Sequence, residues 1–175
     1  MELSAKSLYV LFEKHKSTVN PFAAVCQCRH ETSYQGKPWN SELCRKANNH
    51  AGLKQWAGWS GPVYAKSSWE QSPNGQKTER VSNFCSYPSV ADFVANYAAK
   101  IERDYPLCAA SADNFWGYFS GLFRGRLGSW ATDLAYLDRM IEQALILGPL
   151  FFGDAWQSKC WNAFDFAVSS GRLLP

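Results

Sequence analysis

Between Pro62 and Tyr87 the sequence changes its period. The runs VYAKSSW and TERVSNF, separated by QSPNGQK, lean towards β structure around Pro73-Asn74-Gly75, and Asn-Gly between such runs is the strongest local signal for a tight hairpin. The other periodic segments repeat at helical spacing. A single hairpin among helices confines the chain to a mainly helical α+β architecture, in which the sheet is a small lobe rather than a layer. At 175 residues the chain fits one domain with a short appendage, and it can bury about two thirds of its unfolded surface without disulfide staples.

Residues 4–16 place Leu8, Leu11 and Phe12 on one stripe behind Ser4 as N-cap, which predicts a first helix. His15, in its last turn, is read as a favourable charge against the helix dipole. Asn20-Pro21 starts a second helix with proline in its first turn, and Phe22, Val25 and Cys26 give that helix one buried face. A short helical piece is expected over 41–48, ended by a turn at Asn48-Asn49-His50-Ala51-Gly52, where Asn and Gly tolerate left-handed backbone. After the hairpin, Ser89 and Asp92 open a helix whose stripe is Phe93, Val94, Tyr97 and Ile101. Residues 103–111 read as loop and 114–123 as helix. Asp133 then caps a helix with Tyr136, Leu137, Met140, Ile141 and Leu145 inward. A last helix, carrying Trp156, Cys160, Phe164 and Ala167, ends at Gly171.

Glu31 stands where the second helix meets loop chemistry, near Tyr34 and Trp39. Apolar surroundings disfavour a charged carboxylate and raise its pKa, which suits a general acid; the bland reading is a surface glutamate after a helix. Glu70 and Glu79 on the hairpin are further candidates, although a solvated hairpin carries charges for solubility in any case. Trp56 and Trp59 serve as a sugar-stacking floor if exposed and as a plug if buried. Eight Trp, eight Tyr and eleven Phe supply flat apolar faces with polar edges.

A net charge of +3 with scattered Lys and Arg gives no basic stripe, so no nucleic-acid partner is expected. No apolar run approaches the length of a membrane span, since ALILGPLFF is short and carries Gly148-Pro149. The start, MELSAKSLYVLFEKHK, lacks the apolar core of a signal peptide. Six cysteines match no zinc or disulfide spacing and read as small buried hydrophobes in a reducing compartment. Cys26, Cys28 and His30, two apart on a helix, cannot converge on one ion, so no metal or other cofactor is expected.

Glu31-Thr32-Ser33, followed by Asn48-Asn49, Gly52 and Lys54, resembles the E-T-[SG]…NN-x-x-G-x-K signature of the glucosaminidases, glycoside hydrolase family 73. Three further stretches are similar to that family: Trp59-Ser60-Gly61-Pro62-Val63 leading to Glu70, Phe84 to Phe93, and Gly128-Ser129-Trp130-Ala131-Thr132-Asp133-Leu134-Ala135-Tyr136. The likeness spans roughly residues 15 to 146.

The resemblance implies a lysozyme-like fold, with a helical body and a hairpin lobe on either side of a glycan cleft. It implies an endo-β-N-acetylglucosaminidase acting on peptidoglycan strands, with Glu31 as catalytic acid and Glu70 as second carboxylate, Glu79 held in reserve. Asn49, Trp56, Trp59, Tyr87, Trp130 and Tyr136 are the expected sugar contacts. Many members carry tyrosine where this chain has Trp130, so Trp130 is read as a stacking wall. Residues 1–148 would be the catalytic domain and 149–175 a helical extension docked on it. A monomer is expected, of phage endolysin type, held in the host bacterial cytoplasm until lysis releases it to the wall. The rival readings are a lytic transglycosylase or muramidase on the same fold, and a glycan-binding module without turnover.

Overall fold

The computed structural model describes residues 3–71, 77–131, 133 and 135–172, with side chains for all of these except 68–71 and 77. The chain divides into two compact units, Met1–His30 with Val94–Pro175, and Glu31–Phe93. The divisions fall inside two continuous helices, α2 (Pro21–Thr32) and α4 (Val90–Asp104).

The first unit is helical. In α1 (Ala5–Glu13) the Ser4 hydroxyl accepts from Ser7 N while Ser7 Oγ accepts from Ser4 N, a reciprocal cap that satisfies two otherwise orphaned donors. Leu8 and Phe12 face inward and are fully buried. Asn20 Oδ1 accepts from Ala23 N and starts α2. Sequence periodicity gave α2 one buried face, but residues 21 to 28 are buried all round. Alanine and cysteine are small enough for neighbouring helices to close on every side, so an amphipathic stripe is not needed.

Two boundaries differ from the sequence reading. Residues 103–111 are not all loop: α4 runs on to Asp104, and Pro106 opens the short α5 (Pro106–Ala109), a first-turn position where its missing N–H is no loss. After α6 (Phe115–Gly121), α7 (Tyr136–Phe152) passes through Gly148-Pro149 and ends at Gly153, whose φ is +54°. Proline there forgoes the bond to the Leu145 carbonyl four residues back, and α7 nevertheless carries on through it to Phe152. The helix therefore crosses the boundary expected after residue 148.

A 3-10 turn, Gly153–Ala155, leads into α8 (Trp156–Ser169), which packs by aromatic contact. Phe22 of α2 meets Phe115, Phe152 and Trp156 with ring centroids 5.3, 5.1 and 5.5 Å away. A Cβ on Gly148 would come within 2.1 Å of Trp156 Cδ2, so only glycine lets α7 approach that ring. Trp116 Nε1 and Asn114 Nδ2 donate to Cys160 O and Ala163 O at 3.1 and 2.8 Å.

The second unit holds α3 (Glu42–Ala47) and the hairpin of β1 (Val63–Gln71) with β2 (Lys77–Cys85). Ser41 Oγ caps α3 by accepting from Cys44 N, and Asn48, left-handed at φ +47°, ends it. The strands are antiparallel, in register from Val63 opposite Cys85 to Gln71 opposite Lys77; the predicted Pro73-Asn74-Gly75 turn lies outside the described residues. The loop after α3 adds to the sheet, with Cys85 N donating to Leu53 O and Gln55 N to Asn83 O, both at 2.9 Å.

All six cysteines are free, five of them buried and Cys160 half-buried. Burial pushes the Cys44 thiol up to about 11 and likewise raises those of Cys26 and Cys108, which keeps them protonated and unreactive. No helix among the described residues is long and apolar enough to cross a membrane.

Candidate active site

Glu31 is the penultimate residue of α2 and is half-buried. Twenty-one residues further on, Gly52 adopts φ +59°, and a Cβ built there would lie 3.8 Å from Glu31 Oε2. The two halves of the acidic signature, Glu31-Thr32-Ser33 and Asn48-Asn49…Gly52, thus meet at the carboxylate. Thr32 fixes the chain just beyond: its carbonyl accepts from Asn40 N and Ser41 N, and its hydroxyl from Trp39 N. Tyr34, expected beside Glu31, is 54% exposed in a tight turn closed on Lys37.

Asn49 holds that loop together. Its side chain is buried, Nδ2 donates to Leu53 O and Cys85 O at 2.9 and 2.8 Å, and Oδ1 accepts from Leu53 N and Ala51 N. With both donors and both lone pairs used, this amide serves the loop and not a sugar, contrary to the sequence expectation. Its neighbour His50 is the opposite case. His50 is buried, its ring lies 5.1 Å from that of Phe93, and neither nitrogen has a hydrogen-bond partner among the described residues. Burial pushes its pKa down to about 4, so the imidazole is neutral near neutral pH.

On the hairpin, Glu70 stands opposite Thr78, and its side chain lies outside the described residues. Glu79 is exposed and accepts a 2.6 Å hydrogen bond from Ser67 Oγ. Trp56 and Trp59 are both half-buried, intermediate between the floor and the plug, with centroids 5.2 Å apart. Trp59 Nε1 donates to Pro62 O, and its ring continues onto Tyr87, which is 5% exposed and packs on Phe93. Tyr87 is thus a packing residue of this unit rather than an open wall.

Two expected sugar contacts belong to the helical unit. Trp130 is half-buried against Tyr97 and Tyr105, with Lys100 Nζ 5.8 Å from its ring centroid; its indole is packed by its own unit instead of standing as a bare stacking wall. Tyr136 is 4% exposed and its hydroxyl accepts from Gln27 Nε2 at 2.9 Å. Asp133 accepts from Ala135 N and Arg139 Nε, and these bonds lower its pKa. His30 packs edge-on to Tyr136, and burial, then Arg139, lowers its pKa.

Gln27 is the residue that sequence reading passed over. It is an amide with no exposure inside an apolar run, and that isolation was the one available signal, because a buried amide is retained only where both of its ends are bonded. Among the described residues no group of three or more His, Cys, Asp or Glu could hold a metal ion.

Three solved structures of similar fold are distant in sequence. The catalytic domain of the autolysin Auto from Listeria monocytogenes aligns with a TM-score of 0.62 at 20% identity, over 81% of this chain and 78% of that one. A mutant peptidoglycan hydrolase from Sphingomonas sp. A1 gives 0.59 at 22% identity, over 90% and 96%. A C-terminally truncated glycoside hydrolase domain of FlgJ from Salmonella typhimurium gives 0.55 at 20% identity, over 82% and 97%. No curated protein matches this chain significantly. At these identities the likeness establishes the lysozyme-like fold alone. The family described as mannosyl-glycoprotein endo-β-N-acetylglucosaminidase matches residues 9–144, most of the chain, and the protein therefore belongs to this glucosaminidase family of glycoside hydrolases.

Proposed function

We propose that this glycoside hydrolase cuts the glycan strand of bacterial peptidoglycan after N-acetylglucosamine, with Glu31 protonating the departing glycosidic oxygen. The observation that carries this reading is the approach of Gly52 to Glu31 Oε2. A residue with no side chain, in a left-handed turn, brings the loop backbone up to a half-buried carboxylate without a side chain of its own beside it. The printed names of the solved relatives, an autolysin and a peptidoglycan hydrolase among them, support peptidoglycan as the substrate.

Glu70 is the proposed second carboxylate, stabilising the oxocarbenium-like charge or activating water. Glu79 is the less suitable of the two, because its carboxylate already accepts from Ser67. Trp56 and Trp59, half-exposed and adjacent, are the proposed sugar platform. Six cysteines free of disulfides suit a chain that is made and held in a reducing compartment before it reaches the wall.

Zymography on purified peptidoglycan tests the assignment. Wild type should clear the gel, and Glu31→Gln should lose activity by about 10²-fold or more, the usual contribution of a general acid. Equal clearing by both would remove Glu31 from the role. Mass spectrometry of the products should find a reducing N-acetylglucosamine end; an anhydromuramic end would instead identify a lytic transglycosylase.

A further inference from the structure

Helix α2 carries Glu31 at its end and is held to α7 by polar side chains that lie within the helical unit. Gln27 is fully buried. Its Oε1 accepts from Tyr97 OH, and its Nε2 donates to Tyr136 OH at 2.9 Å. Tyr97 OH also lies 3.0 Å from Tyr118 OH. Because the Tyr97 proton is directed to Gln27, Tyr118 must be the donor of that second bond, so the protons run in one sense from Tyr118 through Tyr97 and Gln27 to Tyr136. Burial holds the Tyr97 and Tyr118 phenols well above the usual range, and both stay donors at any working pH. Two residues along α2, Arg29 Nη1 donates to Gln143 Oε1, also on α7.

From Gln27, one helical turn leads to Glu31. Four residues of α-helix advance the chain by about 6 Å and rotate it by about 40°, so the carboxylate emerges on nearly the same side as the amide. We propose that Gln27 and Tyr136 are positioning residues for the general acid: the Gln27–Tyr136 bond sets the roll of α2 about its own axis, and with it the direction of Glu31. On this account the Tyr136 hydroxyl does not touch substrate. The proposal rests on Glu31 being the acid.

A bond deep in a polar network is directional in a way that apolar packing is not. Phe22 anchors the start of α2 among aromatic rings, but between it and Gln27 the buried side chains of Ala23, Ala24, Val25 and Cys26 are small and offer few features to stop a small rotation. Catalysis is sensitive to misplacement on the scale of 1 Å, so loosening the roll should lower turnover while leaving sugar binding intact.

The test is steady-state kinetics of Tyr136→Phe on soluble peptidoglycan fragments, with Asn114→Ala as a control of matched structural kind. Asn114 caps α6 and bonds to α8, and these side-chain bonds go neither to α2 nor to Gln27 or Tyr136. Tyr136→Phe should lower kcat about tenfold with KM within about twofold, since an interaction that acts only on the reacting geometry leaves ground-state binding alone. Asn114→Ala should lose comparable thermal stability and keep its kcat. A raised KM with unchanged kcat would make Tyr136 a substrate contact and overturn the proposal. So would an equal loss of kcat in both variants, or wild-type kinetics in Tyr136→Phe. Glu31→Gln separates the two readings: if it is active the acid assignment fails, whereas if it is inactive and Tyr136→Phe is unimpaired only the positioning role fails.

Discussion

Each unit of this protein buries a side-chain amide almost completely, Gln27 among the helices and Asn49 beside the hairpin, and each of these two is bonded at both ends. The difference lies next door. Gln27 is surrounded by tyrosine hydroxyls that complete a chain of donors and acceptors, whereas Asn49 is followed by His50, buried to 1% exposure with both nitrogens unpaired among the described residues. A saturated polar group inside a protein is close to neutral in energy, and an unsatisfied one costs about 1–3 kcal/mol. The helical unit thus holds its polar core at little penalty, while the unit carrying Glu31 keeps a destabilising residue within two positions of Gly52.

The largest effect that would sharpen this contrast belongs to Asn49→Ala. It removes the donor to the Cys85 carbonyl and the acceptor of the Leu53 N–H, while Leu53 O keeps its bond from Cys85 N, and these buried losses should cost about 4 kcal/mol. Urea unfolding measures it; a loss under about 1 kcal/mol would mean the loop is not held by this amide. The next effect is acid sensitivity. His50 has its folded pKa lowered to about 4 from 6.5, so the unfolded chain binds the proton first. The stability linked to it is fully present above pH 6.5 and is lost as pH falls from there to about 4. At 1.36 kcal/mol per unit the loss is about 3 kcal/mol. Wild type should lose that much more than His50→Leu between pH 7 and 4, and parallel curves would break the comparison.

Much of the fold could be read from the sequence where one residue type settles local geometry. Ser4, Asn20 and Ser89, read from the sequence as standing at helix starts, each accept from a first-turn N–H group, and the strand register follows two β-leaning runs on either side of one turn. What the sequence hid was environment. Asn49 and Tyr136 were recognisable as signature residues, but whether an amide or a hydroxyl faces a sugar or its own backbone depends on partners 36 and 109 residues away. The same blindness applied to α7, where Gly148-Pro149 reads as a break until Trp156 is seen against that glycine. The approach of Gly52 to Glu31 was legible because the two halves of one signature name each other; the bonding of Gln27 was not, since nothing local marks a buried amide as bonded.

The smallest effect is the most direct test of the comparison, because it applies one substitution to both units. Leucine is close in volume to glutamine and histidine and carries no polar atom, so replacing each residue removes its hydrogen-bonding capacity without opening a large cavity. At Gln27 the change strands the Tyr97 donor and removes the donor to Tyr136, and stability should fall by about 2 kcal/mol. At His50 it strands nothing, takes two unpaired nitrogens out of a buried site, and keeps an apolar contact with the Phe93 ring. Stability should rise by about 1 kcal/mol. The measurement belongs at pH 8, where the imidazole is neutral both folded and unfolded and its protonation adds nothing to the difference. Opposite signs for the same substitution would establish that hydrogen-bond satisfaction, and not polarity as such, separates the two interiors, whereas losses of equal size would mean that His50 packs well enough to outweigh its unpaired nitrogens.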